Sequence, residues 1–179
     1  MASNRGCSLP LLNSSSTLQN VPSPLERLRE LGLALPEPPA PAASYVPTRL
    51  VPIGGGRSLL YVSGQIPIAD GVAKHVGRVP DQASVAEAQQ SARLCALNIL
   101  AQAHAAAGLD RVEMVVQVTG WVACADDFKE HPQVINAASD LLSDVLGEAG
   151  KHTRAAIGAN ALPRGVTTEI AAVLVVRAD

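Results

Sequence analysis

One stretch in the middle of the chain, Ser84 to Gly108, admits a single local structure and constrains everything that can be built around it. Ser84 and Glu87 form a capping box, in which each side chain accepts the other residue's backbone N–H at the start of a helix. Ala88, Ala92, Cys95, Ile99 and Ala103 then recur at helical spacing and make one apolar face, and Gly108 supplies the stop. The spacing predicts a helix over Val85 to about Ala107. Such a helix needs its apolar stripe covered by another layer, and the runs that flank it have the β-branched content of strands.

Upstream, Val46 to Ile53 and Ser58 to Ser63 read as two strands joined by the hairpin signal Gly54-Gly55-Gly56-Arg57. Downstream, Val112 to Val122 reads as a third strand. Pro132 opens a second helix whose buried face is Val134, Ala138, Leu141, Leu142 and Val145, with Gly147 as its stop. Thr153–Asn160 and Val166–Arg177 follow as a closing antiparallel hairpin, so the order is β-β-α-β-α-β-β. The expected fold is α+β, one sheet covered on one face by two helices. Val115, Val116 and Val118, and the run Val173 to Val176, read as apolar on both faces, so the second face of the sheet is expected to be buried by oligomerisation. This domain occupies residues 45–179. Ahead of it, residues 1–22 read as a disordered leader and residues 23–44 as an arm. The arm has a short helix from Pro24 to Leu31, capped by Ser23 with Glu26, and a connector held extended by Pro36, Pro38, Pro39 and Pro41.

Composition narrows the function. Apolar residues make up 47% of the chain and charged residues 17%, with a net charge of −2. A nucleic-acid binder needs a basic stripe, and a base-stacking platform needs more than the 2% of aromatic residues found here. Cys7, Cys95 and Cys124 lie far apart, as do His75, His104, His131 and His152. No metal-ligand or redox spacing results, and a reducing, cytoplasmic setting is expected. The longest apolar run, Ile170 to Val176, is too short to span a bilayer. The N-terminus is Ser-rich and free of acids, which is also compatible with an organellar import segment.

Arg154 and Glu169 carry the candidate chemistry. In the expected closing hairpin they approach one another, setting a planar carboxylate-binding fork beside a general base. From spacing alone, an exposed cross-strand ion pair is the commoner outcome. Asn136 lies with Ser139 and Ser143 on a polar stripe that suits a solvated helix face. Gly54-Gly55-Gly56 is followed by no lysine and no helix, so it reads as a turn and not a phosphate loop. Ser63 lies outside a Gly-x-Ser-x-Gly frame and is not read as a nucleophile. Cys95 and Cys124 read as small buried hydrophobes. Trp121 is either core filler or a pocket wall.

Four segments stand in a fixed order across roughly residues 45–177: Tyr61-Val-Ser-Gly-Gln-Ile-Pro67, Trp121-Val-Ala-Cys-Ala-Asp-Asp-Phe128, Val134-Ile-Asn-Ala-Ala-Ser-Asp-Leu-Leu142, and Arg154 with Leu162-Pro163 and Glu169. The ordered set resembles the YjgF/Rid family of imine and enamine deaminases, often labelled endoribonuclease L-PSP. The helical arm, Leu35-Pro-Glu-Pro-Pro-Ala-Pro41 and His152-x-Arg-x-Ala-x-Gly resemble a longer branch of that family. The resemblance implies a chorismate-mutase-like fold and a homotrimer with clefts between subunits. It assigns the catalytic roles to Arg154, as the arginine that binds the substrate carboxylate, and Glu169, as the glutamate near the attacking water. Tyr45, Ser63, Gly64 and Asn136 resemble cleft residues, and Trp121 and Ala156 complete the substrate-facing set. Deaminase members usually carry Cys where this chain has Ala156, two residues after the arginine.

The implied reaction is hydrolysis of a 2-imino or 2-enamino acid to the 2-keto acid and ammonia, with no metal or organic cofactor. The implied substrate is small and bears a carboxylate; neither nucleic acid nor membrane is expected as a partner. The alternative is a non-catalytic or regulatory trimer that binds small carboxylates or keto acids in the same clefts, a reading that Ala156 favours. A ribonuclease fits poorly with a chain that has no basic stripe and no His/Lys acid–base cluster.

Overall fold

The computed structural model describes residues 21–41 and 43–178, so the expected leader lies, as far as residue 20, outside the described residues. A short helix α1 (Pro24–Glu30) precedes strands β1 (Thr48–Gly54) and β2 (Arg57–Gln65). After the two-residue strands β3 (Ile68–Ala69) and β4 (Val72–Ala73) come helix α2 (Val85–Ala107) and strand β5 (Val112–Ala123). Helix α3 (His131–Leu146), β6 (Thr153–Ala159) and β7 (Thr168–Arg177) complete the chain. Apart from the small β3–β4 pair, the domain follows the expected β-β-α-β-α-β-β order and is α+β.

Local chemistry accounts for the elements. Glu87 N–H donates to Ser84 Oγ at 3.2 Å and Ser84 N–H to Glu87 Oε2 at 2.8 Å, the reciprocal pair of a capping box. Ala88, Ala92, Cys95, Ile99 and Ala103 are fully buried, as are Val134, Ala138, Leu141, Leu142 and Val145 on α3. The two helices pack on one another, and α2 lies along β7. Between β1 and β2, Gly55 and Gly56 have φ of +60° and +68°, the two left-handed positions of a type I′ hairpin turn. Only residues without a β-carbon take both without strain.

The sheet order is β1-β2-β7-β5-β6. This corrects the expected closing hairpin: β6 and β7 are not partners, because β5 lies between them. β6 follows β5 through α3, a crossover that returns the chain in the same direction, so β5 and β6 pair in parallel. β7 pairs antiparallel with β2 on one side and β5 on the other. Its apolar run, with Leu174, Val175 and Val176 all buried, suits a central position. Val118, Val122, Ile170 and Leu174 point inward to the helices. On the outer face Tyr61, Met114 and Ile157 stay exposed in the single chain.

Candidate functional site

The predicted site residues fall into two groups. The first gathers around Glu169 at the start of β7. The β2–β7 register shifts between Val62 and Gln65, and at this bulge Gly64 lies under the Glu169 side chain, with Ser63 next to it in the chain. A β-carbon at Gly64 would overlap Glu169 Oε1, so the bare backbone is what lets the carboxyl lie there. Burial pushes the Glu169 pKa up from its ordinary value. Ser63 Oγ donates to the Val46 carbonyl at 2.8 Å, so that hydroxyl serves as a strap and not a nucleophile. Tyr45, Ser63, Gly64 and Glu169 all open onto one cavity of about 490 Å³.

The second group lies at the β6 edge. Arg154 pairs in register with Val118, so its side chain leaves the sheet on the helix side and lies against α3. Its Nη1 donates to Asn136 Oδ1 at 2.9 Å and to Ser139 Oγ at 3.0 Å, and its Nη2 to the Pro132 carbonyl at 3.4 Å. His152 supports the arrangement from below. The Gly150 carbonyl, 2.6 Å from His152 Nδ1, can only accept, so that nitrogen carries the proton. The other ring nitrogen then accepts from Ser139 Oγ at 3.0 Å. The guanidinium is thus held in place while remaining exposed to solvent. Ala156, two residues on, packs against the core on the same side.

Arg154 and Glu169 therefore do not meet within one chain, and their expected approach as hairpin neighbours is overturned. Two strand spacings of about 4.8 Å separate β6 from β7. Glu169 pairs with Trp121, whose side of β5 is the outer face, whereas Val118 and Arg154 face the helices. The same geometry excludes the surface ion pair. Trp121 is half-buried beside Glu169 on the outer face, apart from the cavity wall. Among the described residues no group of three or more His, Cys, Asp and Glu side chains could hold a metal ion. None of the described helices is long and apolar enough to cross a membrane. Cys95 is buried, which pushes its thiol up to about 12, out of reach of nucleophilic chemistry near neutrality.

Nothing in the sequence assigned a site role to Ser139, His152, Asn98 or Gln102. The last two left a signal, since they interrupt the apolar character of α2 one helical turn apart. For His152 the only hint was its place in the motif with Arg154.

A sheet covered on one face by two helices, with a desolvated glutamate over a glycine and a braced arginine at the far edge, defines the class to which the comparisons point. Residues 25–171 match the family described as "YjgF/chorismate_mutase-like, putative endoribonuclease", and the chain belongs to this YjgF family. The Trypanosoma cruzi protein TCP17 is 40% identical over 149 residues, covering 82% of this chain and 90% of that protein. The crystal structure of Agrobacterium tumefaciens Atu1372, a protein of unknown function, shares 42% identity and a TM-score of 0.75, over 86% of this chain and 91% of that one. E. coli TdcF, solved with bound serine, is 27% identical with a TM-score of 0.55, over 81% of this chain and 96% of that one.

Proposed function

We propose that the chain is a subunit of an imine/enamine deaminase whose site is completed between copies, the Arg154 group of one subunit facing the Glu169 cavity of the next. The observation that carries this reading is the split itself. Each half is built and held, yet within one chain the halves face apart, and the exposed apolar outer face offers a surface on which copies can assemble into the trimer. Arg154 would take the substrate carboxylate through parallel N–H···O bonds, the Asn136 and Ser139 contacts having already fixed the plane of its fork. Glu169, with its pKa raised by burial, is suited to take a proton from water as it attacks the C=N carbon, and to return it to the departing amine. An imine is already electrophilic, so alignment and one proton shuttle suffice. The serine bound to TdcF supports a small amino-acid-like ligand for this family.

Ala156 favours a second reading, a regulatory trimer that binds small carboxylates without turning them over. A coupled assay separates the two: an amino-acid oxidase generates the 2-imino acid, and ammonia release is followed with and without the protein. Acceleration is expected for the deaminase, and Arg154→Ala should lower kcat/KM by about 100-fold or more, the loss of two charge-assisted hydrogen bonds. Full activity in that variant removes Arg154 from the site; no acceleration by the unmodified protein leaves the binder.

A further inference from the structure

We propose that the proline arm is the specificity wall of the Glu169 cavity and selects a substrate with an aliphatic side chain. This rests on the proposed function, and it starts from two buried amides. Asn98 and Gln102 lie one turn apart on α2, fully buried and 3% exposed respectively, on a helix whose other buried positions are mostly apolar. A buried amide is costly unless hydrogen-bonded, so such residues persist where their bonds hold something in place. Asn98 Nδ2 donates to the carbonyls of Ile66 at 3.0 Å and Ile68 at 3.1 Å, and its own Oδ1 is left without a partner. Gln102 Nε2 donates to the Pro39 carbonyl at 2.7 Å. Ile66 and Ile68 form one wall of the cavity and Pro39 stands in another. Adjacent turns of one helix thus fix two walls of one chamber, and Leu28 of α1, fully buried where that helix packs on α3, fastens the base of the arm.

The walls so fixed are apolar. Pro39 and Pro41 offer no N–H, and Ile66, Ile68 and Pro163 offer no polar side chain. Ser63 spends its hydroxyl on Val46, and Gln65 Nε2 donates to the Ser63 carbonyl at 2.9 Å. Among the described lining residues Glu169 supplies the carboxyl, at the end where water would attack, and Tyr45 is the other ionisable group. A charged side chain entering the rest of the chamber would lose its hydration and meet no counter-charge among this chain's described lining residues, whereas an aliphatic one gains by burial. The ligand class is therefore a 2-imino acid, or its 2-keto product, with a branched or straight aliphatic side chain, turned toward the arm.

The test compares imino acids generated enzymatically from leucine, alanine and glutamate. The leucine-derived substrate should exceed the other two in kcat/KM by about 10-fold or more. Gln102→Leu keeps apolar volume in α2 but releases Pro39, and Pro39→Ser keeps the carbonyl but removes the ring. Each should lower that preference by about 10-fold. Pro39→Ser leaves α2 untouched and carries the test if Gln102→Leu does not fold. No preference for the leucine-derived substrate, or an unchanged preference in the folded variants, overturns the proposal. If the unmodified protein turns over no imine, the deaminase reading fails alone. Calorimetric Kd values for 4-methyl-2-oxopentanoate, pyruvate and 2-oxoglutarate then decide the wall by the same ratios.

Discussion

Glu169 is held where a carboxylate is disfavoured, half-buried on β7 with its oxygens over the bare backbone of Gly64. Burial raises its folded pKa above the ordinary 4.5, so between those two values the folded chain binds more protons than the unfolded one. The contribution of Glu169 to stability is thus complete below pH 4.5 and is lost as pH rises through the raised pKa. Glu169→Gln should remove that component, and thermal unfolding of the two proteins over a pH series will show it as a flatter profile. An unchanged slope would mean the carboxyl is not desolvated. At this scale the sequence was informative about identity and silent about relation. Arg154 and Glu169 were both legible from their motifs, yet nothing local to either residue says that they leave the sheet on opposite faces.

Helix α2 is the element most completely written in local sequence, because cap, stripe and stop all lie within it. Its interior also carries the largest penalty for change. Ile99 is fully buried among α2, α3 and the sheet, and Ile99→Ala should destabilise the protein by about 2–5 kcal/mol, measured by denaturant unfolding at fixed protein concentration. A loss below about 1 kcal/mol would show that the site collapses around the smaller side chain. Strand β6 is the counterexample. Its residues have the same appearance whether the strand pairs parallel or antiparallel, and a Pro/Gly turn before β7 suggested a hairpin. What the turn does instead is carry the chain past β5 to the centre of the sheet.

For the whole molecule, the outer sheet face carries exposed Tyr61, Met114 and Ile157 across β2, β5 and β6, a face that a partner copy would cover. Assembly into a trimer would bury these side chains and bring an Arg154 group to a Glu169 cavity. Sedimentation should give a trimer mass for the unmodified chain. Ile157→Lys should lower the mass toward the monomer and lower any imine hydrolysis with it, because a lysine buried across the interface lacks a counter-charge. A monomeric unmodified chain with full activity would sink the shared-site arrangement. The whole-molecule scale also explains Val173 to Val176. Leu174 and Val176 are buried on the helix-facing side of β7, whereas Val173 lies on the outer face opposite exposed Tyr61, where a partner copy would cover it.

The sequence by itself determined the main elements and their order, because helical spacing, caps, turn glycines and alternation act over a few neighbouring positions. Only the tertiary structure decided which strands are neighbours, and with that where the candidate residues lie. Strand pairing depends on the direction in which α3 returns the chain and on which strand best fills the centre of the sheet, both properties of the whole chain. Those choices set Arg154 at one edge against α3 and Glu169 on the opposite face beside the arm. The hydrogen bond from Gln102 to Pro39 belongs to the same order of fact, since it joins residues that only the packed fold brings together.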